Sequence, residues 1–313
     1  MPNPYFMQLI RDIKPDLFPK GCVLAIGNFD GVHLGHQGII RECIARARAL
    51  GVPAVVMSFE PHPREFFGRA GEPLRLSSPK QKAQLLAALG IDALLLMRFN
   101  QQLASTSAEN FVSSLLVKTL GVRHVVTGQN FAFGKGRGGG SDFLTEQART
   151  QGFGFTACAP VMSATSEVIS SSAIRAALKE GDLETARTML GGDYVVGGHV
   201  IHGEKRGRTI GFPTMNLALK KRFVPRKGVY AAKMEVAGKR YDAVVNIGIK
   251  PTFGAHAPLL EAHAFGLEGD MYGRYACLAL KAFLRDEMRY ESLDLLKAQI
   301  AHDANLARQL LAS

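Results

Sequence analysis

His33 and His36 stand three residues apart in the string GNFDGVHLGH (27–36), where a strand-like apolar run gives way to a helical pattern. In an open α/β sheet, ligands bind beyond the carboxyl ends of the strands. A helix that starts there offers unpaired N–H groups and the positive end of its dipole, which together favour phosphate. Two imidazoles at that point can donate hydrogen bonds to charge that builds during phosphoryl transfer. Gly35 lets the backbone approach a ligand closely. The H-x-x-H spacing alone also suits two surface histidines of a loop, or a metal site, although no Glu or Cys accompanies the pair at zinc-like spacing.

A second cluster is GEKRGRTIGFPTMN (203–216), glycine-rich and basic. Thr214 and Asn216 are two apart, so on an extended strand they share a face, with Met215 on the other. A hydroxyl and an amide oxygen can ligate Mg²⁺ that ATP phosphates hold, and Pro213 pre-sets the backbone before them. A loop and edge strand with exposed polar residues would fit the same string. In ISSSAIRAALKEGDL (169–183), Ser171 or Ser172 would cap a helix and Arg175 falls in its first turn. A cation there opposes the helix dipole by a few tenths to ~1 kcal/mol. That placement makes sense where an anion occupies the helix end; a capping serine beside a solvated arginine is the plainer reading. GKGRGGG (134–140) lacks the G-K-[ST] ending of a Walker A loop, so a P-loop is excluded. Its glycines suit a mobile loop over a substrate, with Asn130 just before it.

These residues need elements to position them. VLAIGNF (23–29), VPAVVMSF (52–59), ALLLMRF (93–99) and HVVTGQNF (124–131) are apolar throughout, as strands covered on both faces are. Helical patterns lie between them at 38–51, 79–90 and 108–121, each ending in glycine. The alternation predicts a doubly wound α/β domain. Residues 171–192 predict two short helices, with Gly181 ending the first, Asp182 capping the second and Gly191-Gly192 as the boundary. Beyond it, strand-like segments follow one another with glycine or proline turns, including a hairpin at Ala237-Gly238. That succession predicts a small antiparallel barrel. An amphipathic helix over 292–311 ends the chain, with Leu293, Leu296, Ile300 and Leu310 expected to cover one side of the barrel.

With these elements placed, GNFDGVHLGHQ resembles the H-x-G-H signature of the nucleotidyltransferase superfamily. The longer string is similar to the adenylyltransferase domain of bacterial bifunctional riboflavin kinase/FAD synthetases. FEPHPREFF (59–67), TGQNFAFGKGRGG (127–139) and ISSSAIRAALKEGDL extend the likeness over most of 21–183. GEKRGRTIGFPTMN resembles the P-T-A-N block of riboflavin kinases, with Met215 in place of alanine. GVY (228–230), NIGIKPTFG (246–254), LEAHAF (260–265), DMYG (270–273) and LRDEMRYESLDLLKAQIAHD (284–303) carry it over nearly all of 195–303.

The resemblance implies a Rossmann-like nucleotidyltransferase domain over 1–190 and a six-stranded antiparallel barrel with riboflavin kinase activity over 191–313, closed by a C-terminal helix. The barrel would phosphorylate riboflavin to FMN with Mg-ATP. The first domain would then join FMN to AMP from ATP, giving FAD and pyrophosphate. His33 and His36 would stabilise the adenylyl-transfer transition state; Asn28, Asp30, Gly35, Arg64 and Asn130 would bind ATP or FMN; Ser171, Ser172 and Arg175 would hold the ATP phosphates. In the barrel, Thr214 and Asn216 would hold Mg²⁺. Glu261 would be the general base, and Gly203, Gly207, Arg208, Tyr230 and Arg285 would bind ATP or riboflavin. Asn130 and Gly266 stand where relatives often carry Asp.

Composition bounds the rest. The 313 residues suit two domains, and 47% hydrophobic with 21% charged residues is ordinary for a globular protein. No apolar run approaches a membrane span, and the N-terminus lacks the order of a signal peptide, so a cytoplasmic protein without membrane partners is expected. Cys22, Cys43, Cys158 and Cys277 are scattered without a C-x-x-C pair, which predicts neither a disulfide framework nor a zinc site. The formal charge of +11 fits either nucleic-acid binding or phosphate-bearing substrates. The densest basic segment, Lys220 to Lys227, sits in no recognisable nucleic-acid module, so small-molecule partners are expected: riboflavin, FMN, FAD and ATP. Two other readings stand beside this one, a nucleotidyltransferase for another phosphorylated small molecule and a basic DNA-binding regulator. Oligomeric state is not legible.

Overall fold

The apolar runs of the first half form strands of one parallel sheet. In the computed structural model, which describes residues 7–14, 16–68, 74–202, 212–219, 222–249 and 258–312, these strands are β1 (Gln8–Ile10), β2 (Cys22–Ile26), β3 (Ala54–Glu60), β4 (Ala93–Arg98), β5 (Val122–Gly128) and β6 (Gly154–Cys158). Their order is β1-β4-β3-β2-β5-β6, parallel throughout. Strand β2 is buried on both faces. Its Cys22, Leu24 and Ile26 pack toward Phe111 and Leu116, while Val23 and Ala25 pack toward Ile40 and Cys43. That two-sided cover is why the run reads as continuously apolar. Strands β1 and β6 did not stand out in the sequence because they are short edge strands that are only partly buried.

The helices of this unit are α1 (Leu34–Leu50), α2 (Pro63–Phe66), α3 (Pro79–Ala88), α4 (Gln101–Ser105), α5 (Ala108–Asn110) and α6 (Ser141–Gln151). A π-helical segment, Phe111–Thr119, continues α5. Helix α1 ends at Gly51, whose φ of 64° meets the left-handed C-cap requirement. It begins at Leu34, four residues before the expected start. The strands expected over 23–29 and 124–131 also stop short, at Ile26 and Gly128. In both cases the residues lost from a regular element form the loop that carries a site. All four cysteines are free, and burial pushes the thiols of Cys22 and Cys43 up to about 12.

The second half contains α7 (Ser171–Glu180), α8 (Leu183–Leu190), β7 (Tyr194–Ile201), β8 (Met215–Ala218), β9 (Gly228–Val236), β10 (Lys239–Ile249), β11 (Pro258–Ala264), β12 (Tyr275–Arg285) and α9 (Leu293–Leu311). Strands β7 to β12 close an antiparallel barrel in the order β10-β11-β8-β7-β12-β9. The β9–β10 hairpin turns at Ala237 and Gly238, both with positive φ, 49° and 75°, as a twist-matched two-residue turn demands. Gly181 and Asp182 separate α7 from α8 as expected, with Asp182 accepting from the Thr185 amide at 2.9 Å.

Helix α9 covers the barrel with only part of the expected face. Leu293 and Leu310 are exposed, at 54% and 45%, Leu296 and Ile300 are half-buried, and the stripe continues through the buried Ala304 to Ala307 and Leu311, which pack with Val229, Ala231 and Val244. Small residues let the helix lie close to the strands, and an ion pair sets its rotation: Asp303, 3% exposed, receives Arg285 at 2.6 Å. Hydrophobic spacing could not weigh a buried carboxylate as part of the inner face.

By packing, the chain divides into a unit of Met1–Gly71 with Pro79–Ser170 and a unit of Glu72–Ser78 with Ser171–Ser313. Helices α7 and α8 thus group with the barrel. Helix α8 packs on β7 and β12, and the Arg226 amide donates to the Leu178 carbonyl of α7 at 2.8 Å. The glycine pair at 191–192 lies at the end of α8, twenty residues beyond this packing division. In the described part of the basic segment near 220, Lys227 is exposed while the two arginines are engaged. Arg222 is 5% exposed, and Arg226 grips Asp286 at 2.7 Å with its guanidinium 4.6 Å from the centre of the Phe283 ring.

Candidate active sites

Strand β2 has β3 on one side and β5 on the other, so the chain changes winding direction next to it. The crevice at such a switch point is where an open α/β sheet binds ligands. The loop that leaves β2 there is strained: Phe29 and Val32 have φ of 47° and 45°, and Gly31 has 81°. A left-handed non-glycine residue costs roughly 1–2 kcal/mol. Burial of both side chains, at 0% and 2% exposure, offsets that cost. Asn28 is held by its carbonyl, which accepts from Ser58 Oγ at 3.0 Å and from Lys82 Nζ at 2.6 Å.

The strained turn delivers His33 to the N-cap of α1. Its Nδ1 accepts from the His36 amide at 3.4 Å, which leaves Nε2 as the proton-bearing nitrogen. The two rings stack with centroids 3.6 Å apart. Burial, then the His33 ring and the Lys82 charge, hold the His36 pKa well below 6.5, so His36 is neutral. Its Nδ1 is buried with no partner among the described residues. A Cβ at position 35 would lie 3.1 Å from the His33 ring and 3.3 Å from the Ile169 carbonyl, so glycine is what lets that ring lie against the helix start. Asp30 is buried in the same loop, at 5% exposure.

Asn28 also faces a cavity of about 660 Å³ within this unit, a size typical of small-molecule sites, ~300–1,000 Å³. Its walls include Phe59, Phe67, Phe99, Phe111, Phe131 and Phe133, and its polar positions include Arg64, Asn130, Lys135 and Arg137. Among the described residues no Asp or Glu lines it. Arg64 sits at the start of α2, which His62 caps by accepting from the Arg64 amide at 3.1 Å. The sequence reading gave the phenylalanines no role of their own, although FEPHPREFF and TGQNFAFGKGRGG hold four of them, because the wall joins residues from several distant segments. The GKGRGGG segment folds as a short turn stitched by a Phe133–Gly139 bridge. Gly134 is required there: with φ of 75°, a Cβ would meet the Ala108 backbone at 2.8 Å.

Ser171 and Ser172 occupy the first turn of α7. Arg175 donates to Ser172 Oγ at 3.2 Å and to the Leu74 carbonyl at 3.1 Å.

On the barrel, register brings the kinase candidates together. Asn216 of β8 stands opposite Glu261 of β11, and Glu261 stands opposite Asn246 of β10. Directly opposed residues share a face. Their neighbours Leu217, Leu260, Ala262, Val245 and Ile247 are fully buried in the barrel interior, so the row faces outward. Asn216 is nevertheless 5% exposed, and its Oδ1 has no partner among the described residues. Thr214 just precedes β8, exposed, on the same side by alternation. Met215 points the other way, in register with Ala262. Thr214 and Pro213 border a small cavity of about 60 Å³ with Asp270 and Tyr272 of the DMYG string. Gly203, Gly207 and Arg208 lie outside the described residues.

Two expected ligand contacts take other positions. Tyr230 is inside the barrel with no exposed surface; its hydroxyl donates to the Arg226 carbonyl, and its ring meets Phe283 edge-on. It can shape the site only through packing. Arg285 is committed to Asp303 by a two-pronged ion pair and also donates to the Asp286 carbonyl at 2.9 Å. Asn246 is a residue that the sequence reading passed over. Its amide donates to Glu287 Oε1 at 3.3 Å, and Gly248 leaves room for that carboxylate, since a Cβ there would lie 2.3 Å from it.

The chain thus joins an α/β unit with a histidine-bearing loop at its switch point to a closed antiparallel barrel, and the family comparisons make it a two-part transferase. The FAD synthetase family matches residues 16–173, and the riboflavin kinase family matches 190–311. A bifunctional riboflavin kinase/FMN adenylyltransferase of Escherichia coli K12 is 41% identical over 97% of each chain. Proteins of that name from Pseudomonas fluorescens and Bacillus subtilis are 41% and 39% identical, over 98% and 90% of each chain. A solved structure described as a macrolide-efflux protein from Streptococcus pneumoniae is 29% identical, with a TM-score of 0.83 over 96% of this chain and 98% of that one. No helix among the described residues here is long and apolar enough to cross a membrane. The chain belongs to the bifunctional riboflavin kinase/FMN adenylyltransferase family.

Proposed function

We propose that this protein makes FAD from riboflavin in two ATP-dependent steps, with the kinase step on the barrel and adenylyl transfer at the loop bearing His33 and His36. The division of labour follows residues 1–190 and 191–313. The observation that carries the reading is the neutral, buried His36 stacked on His33 at the start of α1, on a loop that also contributes Asn28 to a phenylalanine-lined cavity. That cavity suits a flat aromatic ring, and the Arg64, Lys135 and Arg137 side chains on its lining suit a phosphate ester.

In the first step the 5′-hydroxyl oxygen of riboflavin attacks the γ-phosphorus of ATP, the bond to the β–γ bridging oxygen breaks, and ADP leaves. Glu261 accepts the hydroxyl proton, a role worth about 10²–10⁴ in rate. Asn216 and Thr214 would hold Mg²⁺. The partnerless Oδ1 of Asn216 supports that, since a buried acceptor needs a partner. A bound Mg²⁺ would neutralise charge on the phosphates. In the second step a phosphate oxygen of FMN attacks the α-phosphorus of ATP in line, and pyrophosphate leaves. His33, through Nε2–H, and His36 donate hydrogen bonds to the transferring phosphate. Ser171, Ser172 and Arg175 bind the departing phosphates by family resemblance. No protein nucleophile is needed, because positioning and charge stabilisation suffice. ATP and riboflavin meet in the cytoplasm, the compartment expected for this chemistry.

The test is a pair of variants. Replacing both His33 and His36 by Ala should lower FAD formation by about 10²–10³ or more while FMN formation stays near normal. Asn216→Ala should do the reverse. A single site abolishing both activities in folded protein contradicts the assignment. Transfer to another phosphorylated small molecule has no observation in its favour once the barrel and its family match are considered.

A further inference from the structure

Lys82 is the buried charge that the motifs do not account for. It lies on α3 and is 7% exposed. Its Nζ donates to the Asn28 carbonyl at 2.6 Å and to Ser58 Oγ at 2.9 Å. Ser58, near the end of β3 and fully buried, donates its own hydroxyl to the same carbonyl at 3.0 Å. The three groups close a triangle directly before the turn at Phe29–Val32, where the backbone is held at positive φ. A hydrophobic side chain from α3 would fill this interior position at less desolvation cost than an ammonium. What lysine adds includes two directed hydrogen bonds that tie a helix and a strand to one carbonyl of the loop.

We propose that Lys82 is a positioning residue for adenylyl transfer: through the Asn28 carbonyl it holds the strained loop in the conformation that presents His33 and His36. The proposal rests on the assignment of adenylyl transfer to that loop. The ammonium also acts on the pair electrically. Burial contributes most to the depressed pKa of His36, followed by His33, and the nearby Lys82 charge adds to it.

The experiment uses the full chain and measures riboflavin phosphorylation and FMN adenylylation separately. Lys82→Met keeps the length of the side chain and removes its charge and donors. It should lower kcat for FAD formation by roughly tenfold to a hundredfold, the range for a misplaced catalytic group. KM for FMN should change little and FMN formation should be unaffected. Lys82→Arg should recover part of the loss. The His36 titration, followed by NMR, should move upward in Lys82→Met, because a repelling cation has gone. Unchanged kcat in folded Lys82→Met overturns the proposal, and so does a loss confined to KM. If Lys82→Met does not fold, Ser58→Ala decides: a several-fold fall in kcat supports the role, and an unchanged kcat overturns it. The His33, His36 double variant tests the underlying assignment independently. If it loses FAD formation while Lys82→Met does not, only the positioning role fails.

Discussion

The imidazole rings of His33 and His36 lie nearly face to face, with centroids 3.6 Å apart and planes 21° from parallel. Two stacked, desolvated imidazoles cannot both carry a proton cheaply, and burial, first, holds His36 neutral; in the proposed reaction the rings would donate hydrogen bonds to phosphate charge as it develops. A permanently cationic pair would bind substrate and transition state alike, which does not raise kcat.

The pH dependence follows. His36 titrates well below 6.5 because it is buried first and repelled by His33 and Lys82 second. FAD formation should therefore show no acid limb near 6.5 that belongs to His36. The sign for stability is the opposite of an ion pair's. Below 6.5 the unfolded chain takes up a proton at this position and the folded chain does not, so stability falls as pH drops from 6.5 toward the folded value. Thermal unfolding of the wild type and His36→Asn at pH 7 and pH 5.5 should show the larger acid loss in the wild type.

Gly35→Ala probes the fit of the pair to the helix start. The added methyl would sit 3.1 Å from the His33 ring and 3.3 Å from the Ile169 carbonyl, so the ring must tilt. FAD formation should fall by about tenfold to a hundredfold, with FMN formation intact, in coupled assays of the two products.

On the barrel, Glu261→Gln should lower riboflavin phosphorylation by about 10²–10⁴ and leave adenylylation of added FMN unchanged. Asn246→Ala should cost less, about tenfold, because Asn246 stands beside Glu261 in register and shapes its surroundings without taking the proton. Equal losses in the two variants would reassign the base.

Asp303→Ala leaves the Arg285 guanidinium beside an apolar helix contact. Arg285 keeps about a fifth of its side chain open to water, so the cost should be about 2–4 kcal/mol, below the upper range for a fully buried pair. The double change Arg285→Leu with Asp303→Leu should restore much of the loss in denaturant unfolding.

The sequence by itself determined the two-part architecture, the four central strands of the parallel sheet, and the candidates for the reacting groups. These depend on local rules. Continuous apolar runs mark β2 to β5, Gly181-Asp182 separates two helices, and Ala237-Gly238 turns a hairpin. His33, His36, Thr214 and Asn216 were legible as candidates because each lies in a short string with its own chemistry, whereas Glu261 was singled out only by the family resemblance of LEAHAF. The tertiary structure decided everything that depends on residues distant in the chain. Lys82 reads as a surface lysine of an amphipathic helix until β3 and the β2 loop close over it. Asn246 gains meaning only from the register that puts it opposite Glu261. The six phenylalanines become one wall, Tyr230 turns inward and Arg285 turns to Asp303 through packing that no spacing encodes. Periodicity reports which side of an element is apolar; which partner meets that side, and whether a charge is buried there, is settled by long-range packing.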